Sequence, residues 1–243
     1  MKNSISEISR QGTNQPRGLY RVAQLLSILM LLLIPLQLVL FVTSPPPDTV
    51  EGFFLLFQRS WSLGLMSLDF LYLLNSVILI FVYLSLFFRL YREAPSLSAS
   101  ALGLGLVGIA CYFPSNPAFE MLTLSQKYAG ATADVQNQLL AAGEALMAGY
   151  TGTAFVVYYV LNAVALILYA WAMLKNPHFK KNIGIFGMAS GIFMIVPSSA
   201  GKVGMIFSLV SLLPWIVFLI LLVDDYRRLL TCIPPQSGEN KKY

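Results

Sequence analysis

The sequence predicts an all-α, polytopic membrane protein with six transmembrane helices and a two-helix cap on the outer face. Three observations carry this. Hydrophobic residues make up 57% of the 243 residues, charged residues only 11%, and mean hydropathy is +0.70. Soluble domains carry about 25% charged residues, so too few are present here to cover a water-facing surface. The charges are also clustered and leave six long, nearly uncharged apolar segments. Finally, Lys and Arg fall in alternate connections between those segments.

The segments are Val22–Val42, Trp61–Phe88, Ser96–Phe113, Tyr150–Leu174, Asn182–Ala200 and Val203–Val223. A helix needs roughly 20 apolar residues to cross a hydrocarbon core of about 30 Å. Lipid offers no hydrogen bonds, so each segment must satisfy its own backbone as a helix. The third is the shortest. The second is longer than a crossing requires and should tilt or project. The first is read as a retained helix, because its apolar run is too long for a signal-peptide core and no A-x-A site follows. These segments form one transmembrane domain over 22–230, between tails 1–21 and 231–243.

With six spans both termini share a side. Thirteen of the 16 basic residues fall there, including Lys2, Arg10, Arg89, Arg92, Lys180, Lys241 and Lys242; Arg59, Lys127 and Lys202 fall on the other. The positive-inside rule therefore places both termini in the cytoplasm. The basic balance is a topology signal, and nothing else supports nucleic-acid binding.

Several chemistries find no residues. Cys111 and Cys232 belong to opposite ends of the bundle, about 30 Å apart, too far for a disulfide. His178 is the sole histidine, and it sits in a short loop, so haem and zinc sites are not expected. Gly103, Gly105 and Gly108 match G-x-G-x-x-G, but inside an apolar segment rather than after a strand. They are read as helix-packing glycines, as are Gly184, Gly187 and Gly191 in the fifth segment. Their contacts lie within the bundle or between subunits, so a homo-oligomer or a membrane-protein partner stays open.

Two outer loops stand out. Thr43–Ser60 opens on Pro45-Pro46-Pro47 and runs into Phe53–Phe57, expected to lie in the interface with Trp61 as an aromatic anchor. Residues 114–149 read as two helices. Asn116 and Pro117 start the first, which stops near Gly130; Thr132 and Asp134 start the second. Leu139, Leu140, Leu146 and Met147 recur at helical spacing. The pair is a cover, a lid or a partner-binding cap.

The stretches Ser115–Leu122, Leu124–Ala129 and Ala142–Ala145 resemble the outer loop of an uncharacterised bacterial membrane family, the domain of unknown function 4386 family. Val196–Gly201 and Ser211–Ile216 resemble that family's fifth and sixth helices. The resemblance implies a six-helix protein of the bacterial plasma membrane. It implies no activity and transfers no catalytic residue.

Within the bundle, Ser62, Asp69, Tyr72, Ser76 and Tyr83 share one face of the second segment, and Thr151, Tyr158, Asn162 and Tyr169 share one face of the fourth. Polar stripes should point inward, as a hydrogen-bonded core or a lined cavity. Tyr83 and Tyr169, near helix ends, equally fit interfacial anchors. Asp69 reads as an acid about 12 Å deep at a rise of 1.5 Å per residue. It needs a donor, with Tyr158 and Asn162 favoured and Lys202 the nearest cation. The candidate intramembrane site is thus Asp69, Tyr72, Ser76, Tyr158 and Asn162. No nucleophile–base pair or metal set accompanies it, so neither a catalytic residue nor a cofactor is assigned. The expectation is a non-enzymatic sensor or interaction protein. The alternative is a small-molecule or ion-coupled transporter using Asp69.

Overall fold

A computed structural model describes residues 16–232. The terminal stretches 1–15 and 233–243, with the basic residues Lys2, Arg10, Lys241 and Lys242, lie outside the described residues. Ten helices and no strand occur among the described residues: α1 Arg17–Thr43, α2 Val50–Arg59, α3 Trp61–Ser67, α4 Phe70–Leu90, α5 Pro95–Ser115, α6 Ala118–Tyr128, α7 Ala133–Tyr150, α8 Thr153–Lys175, α9 Lys181–Phe193 and α10 Gly201–Cys232. Five helical stretches, running through α1, α4, α5, α8 and α10, are long and apolar enough to cross a bilayer.

The apolar segments fold as helices because the chain between them supplies breaks. Pro95 opens α5, where a missing N–H costs nothing. Asn116 ends α5 in an extended conformation ahead of Pro117, as a residue before proline prefers. α1 packs between α4 and α10, α4 on α5, α5 on α8, α8 on α9, and α9 on α10. Six helices thus close a ring in chain order. Its interior is one cluster that includes Tyr20, Tyr83, Tyr112, Tyr158, Tyr169 and Tyr226.

The structure corrects three helix boundaries. The second segment is not one helix: it breaks at Leu68-Asp69 into α3 and α4. The fourth begins at Thr153, because Tyr150 ends α7 and Thr151 lies between helices. The fifth stops at Phe193, a helix of 13 residues and about 20 Å. Pro197 gives the reason, since proline has no N–H to continue the ladder and its ring excludes helical backbone before it. Ala200 N–H closes a turn onto Pro197 O at 3.0 Å, and Gly201 enters α10 at φ +63.

The Phe53–Phe57 run is also corrected. Phe53, Phe54 and Phe57 are buried in a second apolar cluster with Leu65, Leu68, Ala118 and Met121. Leu139, Leu140, Leu146 and Met147 of α7 pack against it. Four short helices, α2, α3, α6 and α7, therefore share a core at one end of the ring. Polar ties fix them. Gln58 donates to Ser125 O at 3.1 Å, and Tyr128 OH donates to Glu51 at 3.1 Å. Trp61 stays exposed.

The opposite end is held by charge. Arg89 of α4 pairs with Asp225 of α10 at 2.5 Å and lies 4.2 Å over the Phe179 ring. Asp224 accepts from Lys180 at 3.2 Å and Arg228 at 3.0 Å. His178 is exposed in the loop between α8 and α9. Cys111 and Cys232 are free.

Candidate functional site

Asp69 sits at the break. Leu68 N–H and Asp69 N–H turn back to Leu65 O and Met66 O, both at 3.2 Å, which closes α3 with a tightened last turn. Asp69 then takes φ 56, the one left-handed non-glycine residue among those described. Aspartate tolerates this region better than most side chains, because its short polar group bonds locally. Asp69 O starts α4 by accepting from Tyr72 N at 2.8 Å. A broken helix strands carbonyls. That of Leu68 is satisfied by Asn116 Nδ2 at 2.6 Å, while Asn116 Oδ1 accepts from Ala118 N at 3.1 Å. The Asn116 side chain therefore joins the end of α5 and the start of α6 to the break.

This placement corrects the expected environment of Asp69. It begins α4 rather than lying deep within a helix, and its carboxylate accepts from the hydroxyl of Tyr150 at the end of α7. Neither Tyr158, Asn162 nor Lys202 bonds it among the described residues. Ser62 is exposed on α3 and leaves the stripe, and Thr151 leaves its stripe with the end of α7.

The other predicted residues meet inside the ring. Tyr158 OH donates to Tyr72 OH at 3.0 Å. Ser76 Oγ donates to Tyr72 O at 3.0 Å. Asn162 Nδ2 donates to Tyr158 O at 2.9 Å. Tyr169 OH donates to Tyr83 O at 2.9 Å. Tyr83 and Tyr169 are 2% and 0% exposed, so neither is an interfacial anchor. Tyr112, which periodicity did not single out, packs tilted against Tyr158 at 4.7 Å and edges against Tyr72 at 5.2 Å between ring centroids. The ring interior is thus a column of tyrosines bridging α4, α5 and α8.

Five of the six packing glycines face a neighbour. A Cβ on Gly105 would stand 2.5 Å from the Tyr83 ring, and one on Gly108 would stand 2.5 Å from Asn162 Nδ2. Gly184 and Gly191 face α8, where added Cβ atoms would come 3.0 Å from Ala170 O and 3.1 Å from Ala163 O. Gly187 faces Phe218 and Ala170, both just over 3 Å from such an atom. Gly103 is the exception: it is exposed, with nothing within 4 Å of an added Cβ. Its neighbours two and five residues on take the inward face, so helical periodicity turns Gly103 outward.

A second group of polar residues lies outside the ring interior. A cavity of about 440 Å³ opens where α1 meets the short helices. Asp48, Asp69, Gln37, Thr49, Tyr150 and Thr151 bring polar atoms to it, and Phe41, Phe53, Leu63, Met66 and Met147 supply apolar wall. Pro46 and Pro47 form part of the rim, and Gly52 lets the loop fold back, since a Cβ there would stand 2.8 Å from Pro47. Thr49 caps α2 by accepting from Gly52 N at 3.1 Å. Gln37 is held by Asn75 Nδ2 at 3.2 Å. Ligand sites usually occupy 300–1,000 Å³ with apolar walls and a few polar groups, and this cavity fits that description. The sequence pointed to Asp69 but not to its companions Asp48 and Tyr150. Asp48, directly after a run of prolines, was the signal available.

No family model, curated protein or solved structure matches the chain.

Proposed function

We propose that this is a six-span protein of the bacterial plasma membrane, with both termini cytoplasmic and the α2, α3, α6 and α7 cluster as an outer cap, and that its work is recognition rather than catalysis or transport. The observation that carries this is the tyrosine column. Tyr72, Tyr83, Tyr112, Tyr158 and Tyr169 fill the ring and pack on or hydrogen-bond one another, while two carboxylates, Asp48 and Asp69, line a cavity at the capped end. A sensor or an interaction protein needs that division: a fixed bundle and a shaped outer face. The split of basic residues supports the orientation, with Arg89, Lys180 and Arg228 all at the ion-paired end. For the sixth crossing, α9 is short by itself, and residues 194–200 supply the rest of the rise. The loop and helix residues that resemble the domain of unknown function 4386 family agree with this layout.

One observation favours the second reading, an ion-coupled transporter. Carriers often use discontinuous helices at their sites, and the chain breaks at Asp69. Access separates the two. In a cysteine-free background, Ser76→Cys lies in the tyrosine column and Met147→Cys lines the cavity. A recognition protein leaves Ser76→Cys unlabelled by aqueous maleimide from either side of sealed vesicles and labels Met147→Cys from outside. Labelling of Ser76→Cys from both sides, in alternation with ligand or ions, would replace this reading with the transporter.

A further inference from the structure

The cavity at the capped end has a definite chemical preference. Its volume, about 440 Å³, suits a small organic molecule. Two carboxylates, Asp48 and Asp69, line it, and no Lys, Arg or His does. Neither carboxylate has a cation within ion-pair distance among the described residues; the ion pairs lie at the far end. Tyr150 OH is already committed to one oxygen of Asp69, while Thr49 accepts from Gly52 N in capping α2. Neutral hydroxyl and amide groups of Gln37, Ser44, Thr49 and Thr151 also line the wall, but its charged groups are the two carboxylates. Much of the remaining wall, from Leu40 and Phe41 through Phe53, Leu63, Met66 and Met147, is apolar.

We infer that this cavity binds an amphiphilic organic cation, an ammonium group on an apolar body, with Asp69 and Asp48 facing the charge. The inference rests on the recognition reading and names what is recognised. A bare metal ion fits less well, because hard cations ask for six or more oxygen ligands and most of this wall is carbon. An anionic or zwitterionic ligand leaves its phosphate or carboxylate with no positive partner, at the cost of burying it unpaired. Entry is open from the apolar side: Phe41 and Leu63 of the wall are 62% and 37% exposed, on surface where lipid would lie.

The test uses the full chain in nanodiscs of phosphatidylglycerol, which has no ammonium group. The probe is radiolabelled benzyltrimethylammonium, whose charge does not titrate. It should bind saturably, roughly tenfold or more tighter than its neutral carbon isostere, as one good charge contact allows. Asp69→Asn keeps an acceptor for Tyr150 and a residue tolerant of the left-handed backbone, so it should fold and lose roughly that tenfold. Leu63→Trp should block the probe by filling the cavity while both carboxylates remain. Equal binding of cation and neutral isostere, an unchanged affinity in Asp69→Asn, or no saturable binding at millimolar probe would each overturn the inference. Competition by phosphatidylethanolamine added to the discs would overturn the choice of a net cation over a zwitterion. Competition by sodium or calcium, but not by other amines, would make it a metal site instead. Uptake of the probe into proteoliposomes would preserve the cation site and defeat the recognition reading; loss of binding with Ser76→Cys still sealed would do the reverse.

Discussion

The hydroxyl of Tyr150, the last residue of α7, donates to the carboxylate of Asp69 at the break between α3 and α4. One side-chain bond thus fastens the short-helix cluster to the start of a long helix of the ring. Removing the hydroxyl by Tyr150→Phe should cost about 1 kcal/mol, the usual net worth of a hydrogen bond. Asp69→Ala should cost more. It loses the acceptor and also places an alanine in left-handed backbone, which adds about 1–2 kcal/mol. Asp69→Asn should stay close to the parent. Unfolding in mixed detergent micelles measures the series. Asp69→Ala as stable as Asp69→Asn would show that the left-handed turn relaxes on substitution.

At the other end, Arg89 and Asp225 have side chains only 12% and 9% exposed. Truncating one member of a buried pair leaves the other charge without a partner, which costs about 3–5 kcal/mol. Arg89→Ala also loses the Phe179 ring contact. The double change Arg89→Met with Asp225→Leu should recover most of the loss, since no charge is left buried. A double-mutant cycle on the same unfolding assay decides it. Additive losses, with no recovery in the pair, would mean that the two residues act independently.

Gly103 and Gly105 offer a matched pair on α5. Alanine at 105 meets the Tyr83 ring, which is pinned by Tyr169 at 5.3 Å between centroids. Overpacking of this kind costs about 1–3 kcal/mol. Alanine at 103 meets nothing and removes a glycine from a helix interior, so it should be neutral or stabilise by up to about 1 kcal/mol. Melting temperatures of the two variants in one detergent suffice. The reverse order would mean that the exposed face of α5 is covered by another subunit, with Gly103 at that contact.

Hydropathy alone placed the long helices, because the cost of an unsatisfied backbone in lipid leaves little choice. It could not place the break at Asp69. In a hydropathy window an aspartate is a penalty to be hidden, and neither glycine nor proline stands beside it to announce a turn. The end of α9 was different. Pro197, two serines and Gly201 are turn residues, and read as such they stop the helix well before Ala200. The phenylalanines of α2 misled for another reason. A run too short to span looks interfacial when considered alone, and its burial depends on α6 and α7, which come more than 60 residues later. The polar stripes were legible where helical period governs, at Tyr72, Ser76, Tyr158 and Asn162. They failed at Ser62 and Thr151, which lie before the helices carrying the rest of each stripe, α4 and α8, begin. The cavity joins α1, the loop after it and the end of α7, a tertiary meeting that no local pattern encodes.

The orientation remains the most consequential expectation, and two positions test it. Asn137 is exposed on α7 and Glu93 is exposed between α4 and α5. They belong to opposite ends of the ring, since α5 runs from the loop holding Glu93 to the junction with the short helices. Cys111 and Cys232 are first replaced by serine. Cys232 is exposed and Cys111 partly so, and either thiol would otherwise blur the signal. In sealed right-side-out vesicles, a charged maleimide should then label Asn137→Cys at once and Glu93→Cys only after permeabilisation. The asymmetry follows from the basic residues. Moving Arg89, Arg92 and Lys180 outward with their loops would oppose the charge bias that sets topology during insertion. Labelling of Glu93→Cys in intact vesicles, with Asn137→Cys protected, would invert the molecule. The cavity and its two carboxylates would then face the cytoplasm, and the ligand would be an intracellular cation.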